Sequence, residues 1–302
     1  MERHHPPLAI TILGTGAMGR YWAYRLRSAH PLVVGTVPPP YEVFEGRTKT
    51  LLIPPYSPWQ AAPPSPPDVV VLAIKWREMG QALDWLQRHA PSSIILSLMN
   101  GMGQEEALCP LTDAVLLPGT TTAAATRQDD KAPAIRIQSH GLTVLPALAH
   151  HPGVQQLMHL SQLHHWGWSW VAPQDALAQR WLKLLQNSVI NPLTTLADCP
   201  NGEVLHHPIW RLAGPLLAEG EEVARRRAVL LPPDLLASVA QLAQDTQHNL
   251  SSMVQDVRAG QETEIEAING YLIRIAELEH IPVPTHQAVR HLVRQLERHA
   301  KP

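Results

Sequence analysis

Apolar and polar residues follow two different patterns along this chain, and the change comes near residue 172. Before it, short apolar runs rich in β-branched residues alternate with segments of helical period, which is typical of an α/β fold with a parallel sheet. The pattern predicts strands at 8–13, 32–37, 48–53, 69–74, 93–98, 114–117 and 168–171, and helices at 17–28, 78–89, 104–108 and 154–163. It also predicts a hairpin around Gly141, formed by residues 135–138 and 142–145.

Beyond residue 172 the apolar positions recur only with helical spacing. The predicted helices are 176–189, 208–229, 233–247, 251–259, 263–279 and 285–299. A length of 302 residues agrees with two domains at about 150 residues each. We therefore predict an α/β domain over 1–172, followed by an all-α C-terminal domain over 173–302.

Charge and proline content exclude some functions and mark one unusual segment. Lysine and arginine number 24 against 26 acidic residues, a net charge of −2, so no basic excess attracts nucleic acid or an anionic membrane. Seven of the 29 prolines fall within residues 54–67. Because proline cannot donate a backbone hydrogen bond, we predict a rigid surface loop there.

Cysteine and histidine usage argues against disulfide and metal sites. The two cysteines, Cys109 and Cys199, lie far apart and form no disulfide or zinc pattern. Most of the 17 histidines are scattered or in adjacent pairs, and neighbours on a helix point about 100° apart. The apolar run at 8–13 is too short for a signal peptide and no apolar run approaches about 20 residues, so we expect neither a signal segment nor a membrane span. We expect a cytoplasmic protein without a metal.

The first motif with a chemical meaning follows the first predicted strand and opens the first predicted helix. It is a G-x-G-x-x-G sequence made of Gly14, Thr15, Gly16, Ala17, Met18 and Gly19. In this position glycines allow a tight turn and bring backbone amides at a helix N-terminus close to a pyrophosphate. We predict a dinucleotide site; the alternative is a turn that only packs the helix on the strand.

The end of the second strand bears on which dinucleotide binds. NAD enzymes usually have an acidic residue there for the ribose hydroxyls, but this strand ends in Thr36 with no acid. That disfavours NAD and mildly favours NADP. Arg47 and Lys49 could fold back toward a 2′-phosphate, or could equally be solvated surface cations.

Two further residues follow predicted parallel strands at the edge where such sheets bind ligands. Lys75 comes directly after the strand at 69–74 and could pair with a cofactor phosphate; the alternative is a surface lysine. Asn100, in an Asn-Gly turn after the strand at 93–98, could donate to a substrate or to the nicotinamide ribose. Asn-Gly is also a common turn signal, so that assignment stays open.

A polar stripe interrupts an apolar helix in the second domain. Lys183, Asn187 and Asn191 have the spacing i, i+4, i+8, which puts them on one helix face among tryptophan, leucine, valine and isoleucine. A buried polar stripe needs partners, and a substrate with carboxylate and carbonyl groups would supply them. Partial desolvation would also lower the pKa of the lysine and so match it to proton transfer.

Two segments further on are less specific. Ser251 and Ser252 include a candidate N-cap for the following helix. Glu264 could be an ordinary first-turn carboxylate, favoured by the helix dipole.

Taken together, these motifs resemble the ketopantoate reductase (2-dehydropantoate 2-reductase) family over nearly the whole chain. The lysine-amide stretch and the Ser-Ser-Met to Thr-Glu stretch are far more specific than the glycine turn. The matching segments are residues 14–19, 72–75, 100–103, 119–122, 183–194, 201–203 and 251–265.

The resemblance implies a Rossmann domain joined to a helical domain, and an NADPH-dependent reduction of 2-dehydropantoate to pantoate on the route to pantothenate and coenzyme A. It implies Lys183 as the general acid. It implies substrate contacts from Asn100, Asn187, Asn191, Asn201 and Ser252. It implies cofactor contacts from the glycine turn and from Lys75, Asn100, Ala125 and Glu264.

This chain departs from the family pattern at Thr36. The family often has an arginine there for the 2′-phosphate, and threonine supplies no charge, which leaves NADPH against NADH open. The alternative functions are reduction of another 2-oxo acid and a non-catalytic dinucleotide-binding regulator. We expect a small-molecule substrate, no nucleic acid or membrane partner, and a monomer or homodimer.

Overall fold

The computed structural model describes residues 8–128 and 132–300, which form two compact units. The first comprises the chain up to Met99 together with Gln104–Ala176; the second comprises Asn100–Gly103 and the chain from Leu177 onward. This division differs in two ways from the boundary expected after residue 172. It falls inside a helix, and the short segment Asn100–Gly103 packs with the helical unit.

The first unit is built on short strands. In chain order they are β1 Ile10–Leu13, β2 Leu32–Gly35, β3 Tyr41–Glu45, β4 Thr48–Leu52, β5 Tyr56–Pro58, β6 Val69–Leu72, β7 Ile94–Ser97, β8 Val115–Pro118, β9 Thr120–Thr121, β10 Ala124–Arg127, β11 Ala134–Ser139, β12 Thr143–Pro146 and β13 Trp168–Val171. The α-helices of the chain are α1 Ala17–Arg25, α2 Met79–His89, α3 Gln104–Ala107, α4 Pro152–Leu163, α5 Pro173–Ala197, α6 Ala213–Arg226, α7 Leu235–Asp245, α8 Ser252–Arg258, α9 Asn269–Leu278 and α10 Pro284–Ala300.

The main sheet is parallel, in the order β5-β2-β1-β6-β7-β8. β1, β6 and β7 are buried along their whole length, which is why their sequences read as continuous apolar runs. The expected α/β architecture is therefore confirmed. Because the strands are parallel, the turns after β1 and β6 lie at the same edge of this sheet.

The composition of the proline-rich segment at 54–67 predicted a surface loop, but part of this segment forms a strand. Residues 56–58 form β5, the edge strand beside β2, and the Tyr56 hydroxyl donates to the Gly35 carbonyl at 2.8 Å. Trp59 follows in the core with 4% exposure. An edge strand tolerates proline because one side of its backbone needs no ladder partner.

The predicted hairpin around Gly141 is wrong. β11 pairs in parallel with β3 and antiparallel with β10, whereas β12 pairs with β9 and β13. Two strands on either side of a glycine therefore belong to different sheets. β3, β9 and β10 were not predicted, because they are short or mix polar with apolar residues.

In the helical unit, α5 is longer than predicted because it continues through Pro192. Proline has no N–H, so the carbonyl of Ser188, four residues earlier, loses its helical donor. The Asn269 side chain replaces it, with Nδ2 donating to that carbonyl at 3.0 Å. Asn269 in turn lies 3.0 Å from Nδ1 of His286, whose Nε2 lies 2.9 Å from the Leu216 carbonyl.

Two other helices begin later than their apolar period suggested. The segment predicted at 208–229 starts as a 3-10 helix, Pro208–Leu212, before α6. The segment predicted at 263–279 becomes helical only at Asn269, and residues 264–268 form a turn. Within residues 8–128 and 132–300, every helix falls short of the combination of length and hydropathy that crossing a bilayer requires.

Candidate functional site

Three polar side chains from separate segments meet in the helical unit. Lys183 Nζ on α5 donates to Asn100 Oδ1 at 2.8 Å, and Asn100 Nδ2 donates to Glu264 Oε2 at 3.2 Å. A lysine ammonium only donates and a carboxylate only accepts, so this order fixes which way the Asn100 amide faces. We call this group the lysine–amide–carboxylate cluster.

Burial changes the acidity of the lysine. Lys183 is half-buried among apolar neighbours such as Trp181 and Leu184, and burial lowers its pKa to about 8; the nearby Glu264 carboxylate acts in the opposite direction. Glu264 itself is 7% exposed. The cluster therefore holds an ammonium that can release a proton near neutral pH, beside an oriented amide.

The Asn100 turn is held against the turn that carries Glu264. Gly101 has φ +75°, and a Cβ there would lie 2.4 Å from the Ala267 carbonyl oxygen, so glycine is required both by conformation and by space. The next residue, Met102, donates its backbone N–H to the same carbonyl at 2.9 Å. This backbone contact explains how a turn far away in sequence meets Glu264.

The rest of the polar stripe lies on the same helix as Lys183, as its spacing predicted. Asn187 is half-buried, and Asn191 is 7% exposed. Thr194 and Thr195, one turn further on, both donate their hydroxyls to the Asn191 carbonyl. Pro192 does not end the helix, so all three stripe residues share one continuous element.

Two predicted substrate residues lie beyond the end of α5. Asn201 Nδ2 donates to Thr246 Oγ1 at 2.9 Å, whereas its enclosed Oδ1 has no hydrogen-bond partner in the part of the chain that the structure describes. Ser251 is the N-cap of α8, with its hydroxyl accepting from the Val254 amide at 3.3 Å. Ser252, the first helical residue, is half-buried and does not serve as the cap.

Glu264 does not lie in the first turn of a helix, which corrects the helix-dipole alternative. It lies in the turn before α9, and its carbonyl accepts from the Ala267 and Ile268 amides. The residue before it, Thr263, is bonded through both N–H and hydroxyl to Glu297 on α10. Thr263 was part of the Thr-Glu motif but had no role assigned to it, and Glu297 was not singled out from the sequence, since only tertiary packing brings the two together.

The glycine motif of the first unit has the geometry that close packing of backbone requires. Gly14 has φ +114°, and a Cβ on Gly19 would lie 1.9 Å from the Gly14 carbonyl oxygen. A Cβ on Gly16, by contrast, would meet nothing within 4 Å, and the N-terminus of α1 has no side-chain cap. Open space beside uncapped amides fits an anionic group such as a pyrophosphate.

Within that motif, Thr15 takes part in shaping the end of β2. Its Oγ1 accepts from the backbone amides of Thr36 and Val37 at 3.2 and 3.1 Å, while a Cβ on Gly35 would lie 2.5 Å from its methyl group. The Thr36 side chain is exposed. The remaining motif residues, Ala17 and Met18, are half-buried in the first turn of α1.

The cations considered for a 2′-phosphate differ in their surroundings. Lys49 on β4 is paired with Glu42 at 2.7 Å, which favours the surface-cation interpretation for it. Arg47 is exposed in the turn between β3 and β4. Lys75 is half-buried after β6, and its backbone N–H donates to Glu78 at 2.9 Å.

The last predicted cofactor residue, Ala125, is half-buried on β10. The histidine pair at 4–5 lies outside the described residues. Across the described residues, no three histidine, cysteine, aspartate or glutamate side chains come close enough to hold a metal ion.

Comparison with known proteins decides the family. Residues 10–150 match the family model described as ketopantoate reductase PanE/ApbA, and residues 175–297 match that of its C-terminal domain. A 2-dehydropantoate 2-reductase from Shigella flexneri is 32% identical over 306 residues, covering 96% of this chain and 95% of the relative. The chain belongs to the ketopantoate reductase family.

Solved structures support the same fold. The PanE/ApbA-family ketopantoate reductase from Ralstonia eutropha JMP134 superposes with a TM-score of 0.84 at 21% identity, covering 97% of this chain and 99% of that one. D-Mandelate dehydrogenase, solved with NADH and anilino(oxo)acetate, gives a TM-score of 0.82 at 18% identity, covering 97% and 99%. At these identities the likeness concerns the fold, a Rossmann-type unit with a helical C-terminal region.

Proposed function

We propose that this protein reduces 2-dehydropantoate to pantoate with a reduced nicotinamide dinucleotide, with Lys183 as the proton donor. The observation that carries the proposal is the lysine–amide–carboxylate cluster in a chain of the ketopantoate reductase family. Such a cluster supplies what reduction of a carbonyl needs from a protein. It offers a proton of suitable acidity and polar groups that hold the oxygen receiving it.

The cofactor proposal rests on the glycine motif of the first unit. The space beside Gly16 and the uncapped start of α1 would receive the pyrophosphate, and a bound dinucleotide would supply the hydride. Lys75, Ala125 and Glu264 are proposed as further cofactor contacts. We propose NADPH as the preferred form, with NADH as the alternative, because Thr36 offers a hydroxyl but no charge to a 2′-phosphate.

In the proposed reaction the carbonyl carbon of the 2-oxo acid gains hydride while its oxygen gains a proton from the Lys183 ammonium. The lysine is left neutral and is reprotonated from solvent. The Asn100 amide nitrogen would donate its second hydrogen to the reacting oxygen, and its orientation is fixed because Glu264 accepts from the same Nδ2. Since the donor must be protonated, the rate is expected to fall as pH rises through about 8.

The remaining amides and one hydroxyl are proposed as substrate contacts. Asn187 and Asn191 lie on the same helix as Lys183, and Ser252 opens α8. The enclosed, unpartnered Oδ1 of Asn201 needs a donor, and a substrate hydroxyl is one that could supply it.

The test is oxidation of NADPH or NADH, followed by absorbance, with 2-dehydropantoate as substrate. We expect turnover by the wild type and a loss on the order of 10²–10⁴-fold in kcat for Lys183→Ala. Lys49→Ala is the matched control, because Lys49 lies in a surface ion pair of the first unit. A wild type without turnover, or a Lys183→Ala variant of unchanged kcat, would overturn the proposal.

Two alternatives are separated by the same assay. A reductase of another 2-oxo acid would show higher kcat/KM with a different member of a 2-oxo acid panel. A dinucleotide-binding regulator would bind cofactor without turnover. We further propose a cytoplasmic enzyme, monomeric or homodimeric, that acts on a small molecule and has no nucleic-acid or membrane partner.

A further inference from the structure

We infer that Glu297, near the end of α10, is a positioning residue for the catalytic cluster, acting through Thr263 on the orientation of Glu264. The inference rests on the proposed function, since it concerns the same cluster. Glu297 is 6% exposed and touches none of the three cluster residues by hydrogen bond. Its role therefore has to be argued from what it holds.

Glu297 presents one carboxylate oxygen to both donors of a single residue. Its Oε1 accepts from the Thr263 backbone N–H at 2.8 Å and from the Thr263 hydroxyl at 2.6 Å. The other oxygen, Oε2, lies 3.5 Å from Arg294 Nε, one turn earlier on α10. Hydrogen bonds to an ionised acceptor are among the stronger ones in proteins, so this pairing fixes Thr263 firmly.

The same threonine also shapes the turn that follows it. Thr263 Oγ1 accepts from the Ile265 amide at 3.2 Å while donating to Glu297. Glu264 lies between these two bonded residues, so its backbone is held on both sides. The Glu264 side chain is then directed to Asn100, which it meets at 3.2 Å.

α10 holds the far side of the turn as well. Arg290 Nε donates to both Glu266 carboxylate oxygens, at 3.0 and 2.9 Å. That pair is about two-fifths exposed on each side, so water competes for it and it contributes less than the buried pair. α10 thus supports the turn through a buried contact, Glu297 with Thr263, and through a solvent-screened contact, Arg290 with Glu266.

Loss of the Glu297 carboxylate should therefore release Glu264 from Asn100. A misplacement of this kind, away from the chemistry itself, can lower kcat by up to about 100-fold. Because Glu264 is also a proposed cofactor contact, the KM for the dinucleotide should rise as kcat falls, and the pH profile is the readout that reports on the lysine. The charged group that faces Lys183 is Glu264, which raises the lysine's pKa, so its retreat should also move the alkaline limb of the pH–rate profile to lower pH.

The experiment compares Glu297→Ala with Glu297→Gln and Arg294→Ala in the full-length enzyme. Glutamine retains a side-chain carbonyl that can accept both Thr263 bonds, so it should restore most of kcat and the position of the alkaline limb. Arg294→Ala removes the contact to Oε2 and a longer contact of 3.7 Å to Glu266, but it leaves both Thr263 bonds in place, so kcat and the alkaline limb should stay near wild type. Thr263→Val, which keeps the side-chain shape but removes the hydroxyl, is the second variant should Glu297→Ala fail to fold.

Lowered kcat with a shifted alkaline limb in Glu297→Ala or Thr263→Val, and rescue in Glu297→Gln, would support the inference. Unchanged kcat and pH profile in folded Glu297→Ala or Thr263→Val would overturn it, as would an equal loss in Arg294→Ala. These outcomes presuppose a wild type with turnover that depends on Lys183. A wild type without that turnover would overturn the proposed function instead, so the two failures are distinguishable.

Discussion

Replacing Lys183 by methionine should separate the stability of the helical unit from its activity. The substitution removes a half-buried ammonium but keeps an unbranched side chain that is apolar at this half-buried position. Activity should be lost with the proton donor. Stability should improve relative to wild type at neutral pH, and that relative gain should shrink as pH rises.

The sign follows from the direction of the pKa shift. The folded protein holds the pKa of Lys183 at about 8, below the ordinary value of 10.5, because burial disfavours the ammonium. Between these two values the unfolded chain binds one proton more at this site than the folded one, so wild-type stability rises with pH. Below about pH 8 both states are charged, and the folded state carries the full cost of burying the charge.

The magnitude comes from the same two values. Each pH unit between the two pKa values contributes about 1.36 kcal/mol to the free energy of unfolding. Of the range from pH 7 to pH 9.5, the part above pH 8 lies between those two values. The free energy of unfolding of the wild type should therefore rise by about 2 kcal/mol relative to Lys183→Met over that range. The variant has no titrating group at this position and so lacks this contribution.

One further effect of the substitution does not depend on pH. Asn100 Oδ1 loses the hydrogen bond that Lys183 Nζ donates at 2.8 Å, and a hydrogen bond to a charged group contributes about 1.5–3 kcal/mol. That cost opposes the gain from removing the charge. The stability difference at a single pH is therefore a poor test, whereas its change with pH isolates the lysine.

Urea unfolding of wild type and Lys183→Met at pH 7 and pH 9.5, followed by the helical circular dichroism signal, measures this change. Lys49→Met is the control, because Lys49 lies in a surface ion pair. A stability difference between Lys183→Met and wild type that is the same at both pH values would refute the reasoning. So would a difference that grows in favour of the variant as pH rises.

Three other substitutions test the supports of the two sites. Gly19→Ala should abolish dinucleotide binding, measured by fluorescence titration, because its Cβ would lie 1.9 Å from the Gly14 carbonyl oxygen; retained affinity would contradict the close-packed turn. Asn269→Ala should lower the free energy of unfolding by about 1–3 kcal/mol, because the Ser188 carbonyl loses its donor; an unchanged urea midpoint would contradict this. Thr15→Val should weaken cofactor affinity several-fold, because the two amides after β2 lose their acceptor, with Thr15→Ser close to wild type.

The parts of the fold that sequence could predict are those governed by local period. The central parallel strands β1, β6 and β7 are buried apolar runs, and most of the helices show their period directly. β3 and β10 gave no such signal, because their sequences mix polar and apolar residues, and the parallel partner of β3, β11, lies far along the chain. The mistaken hairpin at Gly141 has the same cause, since adjacency in sequence outweighed pairing that only tertiary structure decides.

For the candidate site, sequence identified the chemical groups better than their arrangement. The spacing of Lys183, Asn187 and Asn191 suffices to put them on one helix, even though Pro192 follows. The contact of Lys183 with Asn100 joins residues 83 positions apart, and no periodicity could reveal it. Glu264 was expected in a helical turn because the apolar period continues through it, yet the chain there bonds to Glu297 before α9 begins.

Each segment that contributes to the cluster is held by a partner outside itself. α5 continues past Pro192 because Asn269 donates to the carbonyl that proline leaves unpaired. The Asn100 turn is held because Ala267 accepts from Met102, and the Glu264 turn because α10 accepts from Thr263. Such supports share one property: removing them leaves the reacting groups chemically intact. Their variants should therefore keep the lysine and its amide while losing their alignment, which predicts lowered kcat for the helical-unit supports, whereas substitution in the glycine motif should abolish cofactor binding.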